Sequence, residues 1–237
     1  MNDSRYLNFP VQMLSNFLTD TEQCLLNILY YSIYDDSLKR DEDSEYERFV
    51  NSGKDLGINV SRWRKNNSPL GAGRELHCKY PTNSPKTGFK FDIYVDLIKG
   101  HARKSEFEKV CFLAFLAAKS IVMFDPYKRT TNLFLLSRMD GKTHSVSNIA
   151  ELSEPLQKYS NRYQLSRIKA VLLKWNVSTY SQYDRGFYIS TTLNIDDLAY
   201  EVELMKANKT QSEFIGLSMK EARRKALERI SKLNETP

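Results

Sequence analysis

The sequence predicts a mainly α-helical protein with a small β component, and three stretches carry that expectation. Residues 106–123 are apolar almost all round, the pattern of a helix buried on most sides. Residues 162–174 set Leu165, Ile168, Leu172 and, just beyond, Trp175 on one helical stripe. Residues 176–180 and 186–190 are short β-rich runs joined by residues 181–185, with Arg185-Gly186 where a hairpin needs a flexible turn or bulge. The organisation expected from these is an N-terminal helical and irregular region over 1–100, a helix-and-hairpin domain over 105–192, and C-terminal helices over 193–237.

Taken in order, residues 1–18 read as irregular, with an extended arrival at Phe9-Pro10. Thr19 and Glu22 have capping-box spacing before a helix reaching about Tyr34. The acidic run Asp35, Asp36, Asp41, Glu42, Asp43, Glu45 and Glu47 lacks the spacing of a calcium loop and reads as a solvated helix face. Residues 59–88 form a basic, turn-rich stretch in which Arg62, Trp63, Arg64 and Lys65 make a secondary patch, the tryptophan placed to stack on a base or to dock on the core. Gly71-Ala-Gly73 lacks the third glycine of a dinucleotide fingerprint. Residues 89–97 alternate as a strand does, although Phe91, Tyr94, Val95 and Ile98 also fit a helix.

After the helix at 106–123, Thr131 caps a second helix over 132–139 and Ser147 a third from Asn148. Pro155 either interrupts that third helix or begins a new turn. Ser160 or Asn161 caps the fourth, at 162–174. Asn194 caps a helix over 195–206, and Ser218 with Glu221 opens another over 219–232.

The net charge of +6 is unevenly spread. Residues 1–59 carry 5 basic and 11 acidic side chains, residues 60–104 carry 10 and 3, and residues 160–187 carry 5 and 1. An acidic head with two basic segments suits binding of a polyanion. No run of about 18 apolar residues and no leader pattern occurs, so neither a membrane span nor a secretory signal is expected. Cys24, Cys78 and Cys111 are odd in number and far apart, which suits buried thiols in a reducing cytoplasm. His77, Cys78 and His101 do not have zinc-ligand spacing, and no metal or other cofactor is expected. Carboxylates such as Asp92 and Asp96 could serve metal-dependent phosphoryl transfer, yet no catalytic motif is as strong as the helix–hairpin pattern, so no enzymatic activity is expected.

Off the apolar stripe of 162–174 lie Arg162, Gln164, Ser166, Arg167, Lys169 and Lys174, with no acid among them. Arginine and lysine reach phosphates or guanine edges, and glutamine can read adenine. A helix of this kind followed directly by a β-hairpin resembles the winged helix-turn-helix. The resemblance covers 60–90 residues and is one of pattern. It implies that 162–174 is a recognition helix in the major groove and that Gln182, Tyr183 and Arg185 sit on a wing against the backbone or minor groove. The implied partner is double-stranded DNA, bound by a regulator or by a replication initiator of plasmid or phage type. The alternative is an assembly module of the same fold that binds a protein instead. The C-terminal helix, with Met219, Ala222, Ala226 and Ile230 on one face, is a candidate for homodimerisation.

Overall fold

In a computed structural model of the chain, residues 6–38, 69–80, 83–181 and 186–213 are described, together with the isolated helical positions Glu47, Arg224 and Glu228. The secondary patch Arg62–Lys65, the wing residues Gln182, Tyr183 and Arg185, the rest of the acidic run from Asp41 to Glu45, and the capping box Ser218–Glu221 lie outside the described residues. The protein is mainly helical with a small β component, as the periodicities predict.

Strand β1 (Tyr6–Pro10) opens the described chain and pairs antiparallel with β2 (Lys86–Lys90), Asn8 opposite Gly88. A 3₁₀ turn at Val11–Asn16 leads into α1 (Thr21–Ser37). The cap of α1 is Asp20, not Thr19: the Asp20 carboxylate accepts from the Gln23 amide at 3.1 Å, while the Thr19 hydroxyl donates back to the Asn16 carbonyl. Asp35 near the end of α1 departs from the solvated face expected of it. Its carboxylate is buried, 3.1 Å from Lys86 Nζ and 3.6 Å from His77 Nε2.

Two segments of the N-terminal half differ from their sequence reading. Residues 69–79, inside the expected turn-rich stretch, form α2 (Pro69–Lys79) against α1. Gly73 marks close approach here instead of a turn, since a Cβ on it would stand 2.4 Å from the Tyr30 carbonyl oxygen. The alternating stretch at 89–97 divides, its first residues ending β2 and the rest forming α3 (Phe91–Gly100), with Tyr94 and Leu97 buried. The helical period therefore prevails from Phe91 onward.

The centre of the molecule is α4 (Glu106–Val122). Ser105 and Glu108 close a reciprocal capping box at its start, and Val110 through Ala114, Leu116 to Ala118, and Ser120 to Val122 are buried. Met123, with φ of 52°, ends it. A strand unannounced by the sequence pattern follows, β3 (Lys128–Thr130), and then α5 (Asn132–Met139), capped by Thr131 as expected through a 3.1 Å bond from the Phe134 amide. The third helix is reduced to a 3₁₀ turn at Ile149–Glu151 and the single-turn α6 (Glu154–Gln157). Pro155 sits in the first turn of α6, where its missing N–H costs nothing. Helix α7 (Arg162–Lys174) comes next, then β4 (Ser178–Tyr180) and β5 (Phe187–Ser190), antiparallel with Thr179 opposite Ile189. Strand β3 adds to the far side of β5, so the sheet order is β3-β5-β4. Gly186 lets β3 approach, a Cβ there standing 2.7 Å from the Thr130 carbonyl oxygen.

Helix α8 (Ile195–Glu213), capped by Asn194, runs past the expected end at Lys206 and packs Leu198 and Val202 on Tyr180 of β4. A single hydrophobic cluster otherwise runs from Leu7 to Ile189. Its spine is a relay of ring contacts 5.3–6.4 Å apart: Phe9 on Phe89, Phe89 on Phe112, Phe112 on Phe115, and Phe115 on Trp175 at the end of α7.

Candidate nucleic-acid interface

Helix α7 is fixed first by its cap, the Asn161 side chain accepting from the Gln164 amide at 2.9 Å. Leu165, Ile168 and Leu172 then bury its inner face, and α7 packs on α4. Trp175 lies past the stripe, 42% exposed, its ring edge-on to Phe115. The outer face consists of Arg162, Tyr163, Ser166, Arg167, Ala170 and Lys174, all exposed and none acidic.

Arg167, Gln164 and Lys169, all expected on that face, are arranged differently from one another. The Arg167 guanidinium lies 4.3 Å above the Phe107 ring of α4, and its Nη1 donates to Gln164 Oε1 at 3.1 Å. Gln164 is half-buried, so its amide oxygen holds Arg167 and is turned from the outermost face. Lys169 leans toward the hairpin. Its ammonium stands 3.6 Å over the buried Phe187 ring of β5, and the loss of solvation there pushes its pKa down to about 8.

Two groups escaped the sequence reading. Tyr163 is 70% exposed on the outer face, one turn before Arg167, whose guanidinium is 5.7 Å from its ring. Its i, i+4 spacing to Arg167 was the available signal. Arg129, exposed on β3 opposite Tyr188, had no signal, because a three-residue strand leaves no period.

The other chemistries find less support in the geometry. Asp92 and Asp96 are exposed on α3 without a converging partner group, and among the described residues no three His, Cys, Asp or Glu side chains gather around a metal-sized space. His77 is stacked on Tyr31 at 5.4 Å, and His101 Nδ1 lies 3.0 Å from the Ile98 carbonyl oxygen. All three cysteines are free, Cys24 and Cys111 buried and Cys78 exposed. Among the described residues no helix is long and apolar enough to cross a membrane. No protein-family model matches the chain, and neither the curated proteins nor the solved structures contain a significant match to it.

Proposed function

We propose that residues 105–192 form a winged-helix-type unit that binds double-stranded DNA, in a cytoplasmic regulator or a replication initiator of plasmid or phage type. The observation that carries this reading is the outer face of α7: a capped helix that exposes Arg162, Tyr163, Ser166, Arg167 and Lys174 and no carboxylate. In this reading β4 and β5, the hairpin that follows α7, are the wing, and β3 backs it on the far side of β5. In this reading Arg162 and Lys174 meet phosphates at the two ends of the helix. Arg167, oriented by Phe107 and Gln164, is preset for a phosphate or a guanine edge, and Ser166 and Tyr163 lie nearest the bases.

The test is fluorescence anisotropy with a labelled duplex at two salt concentrations. Arg162→Ala/Lys174→Ala is expected to weaken binding by roughly tenfold or more and to flatten the salt slope by about 2, as two phosphate contacts are lost. Unchanged affinity and slope would remove α7 from the interface. The protein-binding alternative is favoured by the exposed Leu173 and Trp175 at the far end of α7. A stable protein complex with no duplex affinity would decide for it.

A further inference from the structure

On the side of the molecule formed by the β1–β2 ribbon, the turn after α4 displays two apolar side chains. Phe124 is 98% exposed and Met123 51% exposed. Met123 holds a φ of 52°, a conformation L-residues adopt at a cost, and it directs the chain outward at that point. A single exposed leucine needs no explanation, but a phenyl ring in full contact with water next to an exposed methionine is the form of an interface anchor.

The same turn adjoins a cleft of about 430 Å³ walled by Tyr6, Asn8, Ser84, Thr87, Gly88 and Lys119. Two lysines, Lys86 and Lys119, line it, and among the described residues no carboxylate does. Lys86 is already paired with Asp35. Lys119 donates to the Tyr6 hydroxyl and to the Gly88 carbonyl at 2.9 Å and lies 4.5 Å over the Tyr6 ring, so among the described residues its charge faces neutral groups. Next to the anchor, the Asp125 carboxylate pairs with Lys128 at 3.0 Å, an exposed pair that exchanges easily with solvent. Anchor and cleft thus complement each other in shape, an aromatic knob beside a hollow, and in charge, a carboxylate beside an uncompensated ammonium. They also sit side by side on one surface, which is what an isologous contact about a two-fold axis requires.

We propose that this face is where the protein pairs with a second copy of itself: Phe124 of each copy enters the cleft of the other, and Asp125 meets Lys119 there. The surface lies on the β1–β2 side and uses residues distinct from the outer face of α7, and the pairing does not depend on DNA.

Sedimentation equilibrium of the full chain tests it. The wild type is expected at twice the monomer mass of 27.6 kDa at concentrations on the order of 100 μM. Phe124→Asp is expected to keep the wild-type melting temperature, because the ring packs on nothing, and to raise the dimer dissociation constant by about 30-fold or more. Asp125→Lys and Lys119→Glu each bring like charges together twice in a homodimer and are expected to run as monomers. Their equimolar mixture restores one native and one reversed pair and is expected to run as a dimer. A wild type that stays monomeric, a Phe124→Asp variant that stays dimeric, or a mixture that stays monomeric overturns the proposal.

Discussion

The perturbed lysine of α7 yields a quantitative expectation. Lys169 places its amine 3.6 Å over the Phe187 ring, where lost solvation lowers its pKa to about 8. An unfolded lysine keeps its proton to about 10.4. Between those values the unfolded chain binds more protons than the folded one, so this group makes stability rise with pH across the window from about 8 to 10.4. Below about 8 both states are protonated and the folded state bears the full desolvation penalty. Replacing Lys169 with Met removes the amine and keeps most of the stem. Lys169→Met is therefore expected to be more stable than wild type at pH 7, and the difference should shrink by pH 10. If DNA phosphate restores the amine to its ordinary pKa, binding takes up a proton, and those two pKa values imply duplex affinity about tenfold weaker at pH 9 than at pH 7. Urea melts of both proteins at pH 7 and 10, paired with anisotropy titrations at pH 7 and 9, measure both arms. A stability difference that is the same at both pH values would refute the desolvated position of the amine. A wild-type affinity that does not change with pH, or a Lys169→Met variant with the same pH dependence as wild type, would refute its contact with DNA.

Two further substitutions probe the scaffold. Gly73→Ala inserts a Cβ 2.4 Å from the Tyr30 carbonyl oxygen and 2.6 Å from Tyr34 Cβ, and is expected to cost about 1–3 kcal/mol in urea unfolding as α2 is pushed off α1; full stability would contradict that helix contact. Arg138 on α5 is 8% exposed, lies 4.9 Å over the Phe134 ring, and has Nε and Nη1 without a hydrogen-bond partner among the described residues. Arg138→Met should therefore leave the unfolding free energy in urea unchanged or higher, and a loss of more than about 2 kcal/mol would indicate that the guanidinium has a structural partner.

What could be read from the sequence follows the length of the repeating pattern. Helix α4 spans nearly five turns and α7 more than three, and each carries a capping side chain whose geometry is realised, Ser105 with Glu108 for one and Asn161 for the other. The β4–β5 pair was visible because both runs are β-branched or aromatic and lie close together. Strands β1, β2 and β3 are three to five residues long, too short for an alternation to stand out, and β1 and β2 find each other only across 82 residues between Tyr6 and Gly88. Gly73 misled because a glycine in a sequence signals freedom, and only the neighbour at 2.4 Å reveals that it is needed for want of space. On the candidate face, the residue types of α7 were legible, but the direction of Lys169 depends on Phe187, which arrives from another element.

The relay of rings from Phe9 to Trp175 bears on how the protein can be dissected. A fragment cut at residue 105 would retain Phe112 and Phe115 and lose Phe9 and Phe89, leaving a phenylalanine now buried in α4 facing water. Denaturation should then be one cooperative event that carries the first strand and the end of α7 together, and truncations that respect the helix boundaries of α4 alone will yield aggregating pieces. Expression of a shorter fragment carrying α7 would have to begin before Tyr6 or redesign the exposed face of α4 with polar residues.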